Sequence, residues 1–323
     1  VTPTWKGRVL SLAVVPTLVL GATVLSTTVP TASASTPTAS EAQGWYHEVV
    51  TDLAPLQTSL VAGLQAAQSW QQGSESGSAA RRAFSRALPT LEAVEQKVAS
   101  MSSLPGYAGV HSDYVAAVGL YHEAFRLERA ATELPNGPLV TQFQHSYQRV
   151  RELGDVTFDQ GTAQLLPYLG STVAGVDAAA ASKIPVWSTV GLAPGEPLVS
   201  SWPDTTPPAA GTQSMSGWSA ALAHSDLPTQ ASVRGTLARK SASSAALAAL
   251  AVALVRAETA VGAIAPPAGS PQSSQLLRLG LLVDAEAVLA DEARVQSRSS
   301  PSGAVAQVAA ALQSIGATLR TAA

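Results

Sequence analysis

The sequence predicts an all-α protein, built as two tandem antiparallel helical bundles joined by a Pro-rich linker. Apolar residues recur every three or four positions over most of the chain outside residues 1–43 and 170–217. The composition is Ala-rich and Lys-poor, with four lysines (Lys6, Lys97, Lys183, Lys240) in 323 residues, and alanine is the best helix former. Clusters of Gly and Pro interrupt the periodic stretches at intervals that suit helices of about 25 residues.

Val49, Leu53, Leu56, Leu60, Leu64 and Ala67 line one face of a first helix. Pro55 places its start near Asp52, because a first turn accommodates proline. Residues 35–43 read as a flexible lead-in. The run Gly73-Ser74-Glu75-Ser76-Gly77-Ser78 ends this helix. Phe84, Leu88, Leu91, Val94, Val98 and Met101 form the stripe of a second, which Leu104-Pro105-Gly106 stops. A third carries Tyr114, Val118, Tyr121 and Phe125 as far as Pro135-Asn136-Gly137-Pro138. A fourth runs from about Leu139 through Phe143, Tyr147 and Val150 towards Leu166, with Gly154 and Gly161 as places to bend. Four helices joined by short loops pack as an antiparallel bundle over residues 44–169.

Residues 170–217 hold Pro185, Pro194, Pro197, Pro203, Pro207 and Pro208, and lose the helical period after about Ser182. They read as an extended linker, docked through Trp187 and Trp202. The second bundle, residues 218–323, repeats the grammar of the first. Its helices run from about Ser241 to Ala265, from about Ser273 to Ser297, and through Val305, Val308, Leu312, Ile315 and Leu319. Pro105 to Pro267 is 162 residues, Pro138 to Pro301 is 163, and Trp45 to Trp218 is 173. Such spacing predicts an internal duplication.

At the N-terminus, Lys6 and Arg8 precede an uncharged stretch from Val9 to Val29, then Pro30 and Ala32-Ser33-Ala34. This is the order of a signal peptide over residues 1–34, cleaved after Ala34 at a small-x-small site, with Ala32 as a second position. The alternative is an uncleaved anchor, since about 20 apolar residues span a bilayer. Either reading places the rest of the chain outside the cytoplasm.

The chain has no cysteine, which excludes disulfides, thiolate metal sites, cysteine nucleophiles and a lipid-modified cysteine. A net charge of −3 without a basic block gives no footprint for nucleic acid. Neither phosphate-cradling glycine motif occurs, nor G-x-S-x-G. A di-metal bundle needs Glu-x-x-His, and none is present.

The remaining polar constellations have plain structural readings. His122 and Glu123 are adjacent, so they point about 100° apart, and His122 reads as a partly exposed histidine near Arg126. His111-Ser112-Asp113 and His224-Ser225-Asp226 hold triad residue types, but consecutive residues do not converge on a reacting atom. Ser112 or Asp113 as the N-cap of the third helix explains the first of them. Glu152, Asp155 and Asp159 share a helix face and read as a solvated acidic stripe, offset by Arg149 and Arg151. Every tyrosine and phenylalanine precedes residue 170, so the second bundle reads as an Ala/Leu/Val support. Tyr114, Tyr121, Phe125, Phe143 and Tyr147 can converge between the third and fourth helices. They are either plain core or the walls of a pocket for a small, partly apolar ligand.

No catalytic residue, metal or cofactor is expected. The function these observations point to is an exported, non-enzymatic helical protein of the bacterial cell envelope, an interaction module for a protein or cell-wall partner. The alternative is extracytoplasmic binding of a small molecule by the aromatic residues. Nucleic acid is not an expected partner, and a membrane only through the N-terminal segment.

Overall fold

Each apolar stripe becomes the buried face of a helix in the computed structural model, which describes residues 37–169, 186–188, 199–201, 211–239, 241–268, 271–297 and 302–323. The predicted signal segment lies outside them. Helix α1 spans Ala39–Gln71, α2 Gly77–Ser100, α3 Ala108–Ala131 and α4 Pro138–Leu169. Successive helices pack as neighbours and α4 returns to α1, which closes the expected four-helix bundle.

Two corrections concern α1. It starts at Ala39 rather than near Asp52, so the lead-in expected over residues 35–43 is helical from Ala39 on. Thr38 and Glu41 form a capping box: the Glu41 N–H donates to the Thr38 hydroxyl at 3.2 Å, and the Thr38 N–H donates to the Glu41 carboxylate at 2.7 Å. Pro55 therefore sits mid-helix, on the exposed side. An interior proline costs about 3 kcal/mol. Burial of Trp45, Val49, Leu53, Leu56 and Leu60 on the opposite face offsets that loss. Helix α2 likewise continues through Pro89.

Within the linker, β1 (Val186–Ser188) and β2 (Val199–Ser201) form a two-stranded antiparallel ribbon with Trp187 opposite Ser200. Two short helices follow, α5 (Met215–Ala223) and α6 (Gln230–Leu237). Three long ones complete the chain: α7 (Ser244–Gly262), α8 (Pro271–Ser297) and α9 (Ser302–Ala322).

Helix α7 packs on α8, and α8 on α9, but this half is completed by the first one. Helix α9 lies along α3, and α8 along α4. The centre of the molecule is thus a group of four helices, α3, α4, α8 and α9, drawn from both halves and sharing one apolar core. Every residue of α8 from Leu276 to Ala293 is buried, as for a helix covered on all sides. Helices α8 and α9 cross closely at two glycines. A Cβ on Gly316 would lie 2.5 Å from Asp284 Oδ1 and 3.0 Å from the Gly280 carbonyl oxygen. Helix α7 is long and apolar enough to cross a membrane, with a mean hydropathy of 1.6. Its Leu247, Leu254 and Val261 are nevertheless buried, and its Glu258 is paired to Arg278 of α8.

Candidate functional site

Tyr114, Tyr121, Phe125, Phe143 and Tyr147 are all buried, but the rings belong to different parts of the core. Tyr114 packs against Trp45 of α1 and Phe158 of α4, with ring centroids 5.8 and 5.0 Å away. Phe125 packs against Phe84 of α2 and Tyr147 of α4, at 5.7 and 6.1 Å. The Tyr114 hydroxyl shares a 2.7 Å hydrogen bond with Thr162, and the Tyr121 hydroxyl donates to Asp155 at 2.8 Å. Burial pushes both phenols well above their usual range, so they stay neutral. Between the two readings open for these residues, the packing favours core.

The acidic stripe is a correction. Glu152 is buried and Asp155 is held between Arg151, at 2.7 Å, and Tyr121. Neighbouring Arg149 is buried as well and reaches across to Glu286 of α8 in an ion pair, with a further 3.1 Å bond to Ser146. Part of this face is therefore packed against α3 and α8 rather than open to water.

The bland second bundle is a correction too. Helix α8 alone buries Arg278, Asp284, Glu286, Asp291 and Glu292. Arg278 bonds Glu258 of α7 at 2.7 Å. Arg320 of α9 bonds Asp284 at 2.8 Å and the Pro228 carbonyl at 2.6 Å, tying α6 to the group. Together with Arg294, these charges fall all round α8 at 100° per residue, and that was the available sequence signal. A helix without a separate polar face is an interior helix whose charges need partners on its neighbours.

The histidine constellations also resolve. Helix α3 begins at Ala108, so Ser112 and Asp113 lie inside it, and neither is its N-cap. Ser112 bonds back to the Ala108 carbonyl at 3.1 Å. Asp113 is wholly buried; it accepts from Gln164 at 2.8 Å and burial pushes its carboxyl well above the usual range. His122 is half-buried as expected, but its partner is Glu95 of α2 at 2.9 Å. Arg126 binds Glu123 at 3.0 Å and Gln307 of α9 at 2.8 Å. Burial pushes Glu123 up to about 7, against the lowering effect of Arg126 and His122. Among the described residues, no group of three His, Asp or Glu side chains is placed to hold a metal ion.

One concave feature was not anticipated. Where the α1–α2 and α3–α4 turns meet, a groove of about 510 Å³ opens to solvent. Trp70, Gln71 and Ser76 form one side, and Thr132, Asn136, Thr141 and Gln144 the other. Its walls are anchored from below. The Gln71 amide donates to the buried Glu128 at 2.8 Å, and Arg81 of α2 donates to the Thr132 carbonyl at 2.5 Å, capping α3. Burial pushes Glu128 up to about 8, with the Gln71 bond as the only opposing influence. In the sequence, residues 73–78 and 135–138 read only as helix stops. That two such stops meet at one end of a bundle follows from the antiparallel topology.

Comparison of the chain with family models, with curated proteins and with solved structures gives no match.

Proposed function

We propose that the chain is an exported, non-enzymatic helical protein of the bacterial cell envelope that offers bundle surfaces to a protein or to the cell wall. The carrying observation is where its buried charges go. Arg149–Glu286, Arg278–Glu258 and Arg320–Asp284 each join two different helices, so these groups hold the body together. The order of Lys6 and Arg8, the uncharged stretch and Ala32-Ser33-Ala34 supports export. Small-molecule binding by the aromatic residues has less support, because their rings pack against one another and against Trp45, Phe84 and Phe158.

Mass spectrometry of the protein recovered from envelope fractions of its own cells, with and without cross-linking, tests this. The expected result is a chain beginning at Ser35, cross-linked to a partner or to wall material. An intact chain found only in the cytosol would overturn it.

We also infer that the two halves arose by duplication. The packing order α2–α3–α4 recurs as α7–α8–α9. An offset of 163 places Tyr121 on Asp284 and Glu123 on Glu286, and 162 places Gly154 on Gly316. Gly154 faces Tyr121 as Gly316 faces Asp284. Sequences of relatives, aligned half against half, should keep this register; a register that wanders among them would count against a common origin.

A further inference from the structure

We propose that the groove between the α1–α2 and α3–α4 turns is a saccharide site, taking a short stretch of an uncharged sugar chain. The proposal deepens the envelope reading, and rests on it only for the origin of the sugar.

The lining chemistry carries it. A sugar ring offers a face of C–H bonds and a rim of hydroxyls that both donate and accept. Trp70, half-buried, brings part of its indole to the groove, with the N–H edge beside Gly77. Gln71, Asn136 and Gln144 supply amides that donate and accept, and Thr141 adds a hydroxyl. Among the described residues, no Lys, Arg or His lines the groove, and Glu75 is the only charged one. An anionic ligand would find no cation and would meet that carboxylate. A purely apolar ligand would strip water from the amides without replacing their hydrogen bonds.

The site is also built rather than incidental. Glu128, fully buried, holds the Gln71 amide nitrogen at 2.8 Å and leaves the Gln71 carbonyl oxygen as an acceptor. The indole nitrogen of Trp70 lies 3.3 Å from the Cβ position of Gly77, so a side chain at residue 77 would press on the ring edge. Arg81 fixes Thr132 through both its carbonyl and its hydroxyl, at 2.5 and 3.2 Å. The volume of about 510 Å³ lies within the range of small-ligand pockets.

The test is calorimetric titration of the purified full chain with three probes. These are the β-1,4-linked trimer of N-acetylglucosamine, the neutral glucose trimer maltotriose, and an acidic trimer of galacturonic acid. At least one neutral trimer should bind saturably, with a Kd on the order of 1 mM. Trp70→Ala should weaken it at least tenfold, and the acidic trimer should not compete. Should Trp70→Ala unfold the chain, Gln144→Ala and Asn136→Ala, at half-buried and exposed positions, replace it and should each weaken binding several-fold. The proposal is overturned if neither neutral trimer binds at up to about 20 mM. It is equally overturned if these variants bind as the parent does, or if the acidic trimer is preferred. A chain recovered from the envelope with Ser35 first, yet failing this titration, would remove the saccharide site and leave the envelope reading intact.

Discussion

Glu128 and Gly63 show how far single residues are set by their surroundings. Glu128 sits in the core with one oxygen bonded to Gln71 and the other without a partner among the described residues. Its carboxyl is raised to about 8, far above an unfolded value near 4.5. The stabilisation tied to its proton is complete below the unfolded value and is lost as pH rises through about 8. Glu128→Gln removes that loss. The variant should melt several degrees above the parent at pH 9 and close to it at pH 5; equal melting at both pH values would refute the assignment. Gly63 of α1 lies against the Phe125 ring, which a Cβ at that position would overlap. That ring is wedged between Phe84 and Tyr147 and has nowhere to go. Gly63→Ala should therefore cost about 1–3 kcal/mol in denaturant unfolding, although alanine is the better helix former.

At the scale of elements, local signals were legible and partners were not. The stops at Gly73–Ser78, Leu104–Gly106 and Pro135–Pro138 fall just past the ends of α1, α2 and α3, because clustered glycine and proline break the backbone period, whereas the lone Pro55 and Pro89 do not. The stripes of α1 to α4 matched their buried faces for the same reason. Pro55 points to a start near Asp52, whereas the Thr38–Glu41 capping box, which the spacing of apolar residues does not reveal, starts α1 at Ala39. Thr38→Ala should leave the helix in place but speed amide exchange in its first turn about tenfold. Unchanged exchange there would mean that packing of Ala42 and Trp45, not the cap, fixes the start. The charges on α4 and α8 were misread for a different reason. Spacing tells which residues share a face, but not whether water or another helix lies opposite. The groove was illegible on the same ground, since its two sides are far apart in sequence.

For the whole molecule, the decisive contacts join residues more than a hundred positions apart. The sequence predicted two bundles and left open whether they touch. They meet along α3–α9 and α4–α8, with Arg149–Glu286 buried at the seam. Arg149→Met strands the Glu286 carboxylate and should cost about 3–5 kcal/mol. Adding Glu286→Leu should return most of that loss, because an apolar pair replaces a desolvated ionic one. A second substitution that merely adds its own cost would show the pair to be uncoupled. The most direct test of a single body is hydrogen exchange, followed by mass spectrometry, on the Arg149→Met variant. Protection should fall together in α3 and α4 and, across the seam, in α8 and α9. Loss confined to α3 and α4, with α8 and α9 protected as in the parent, would contradict a core shared by the two halves.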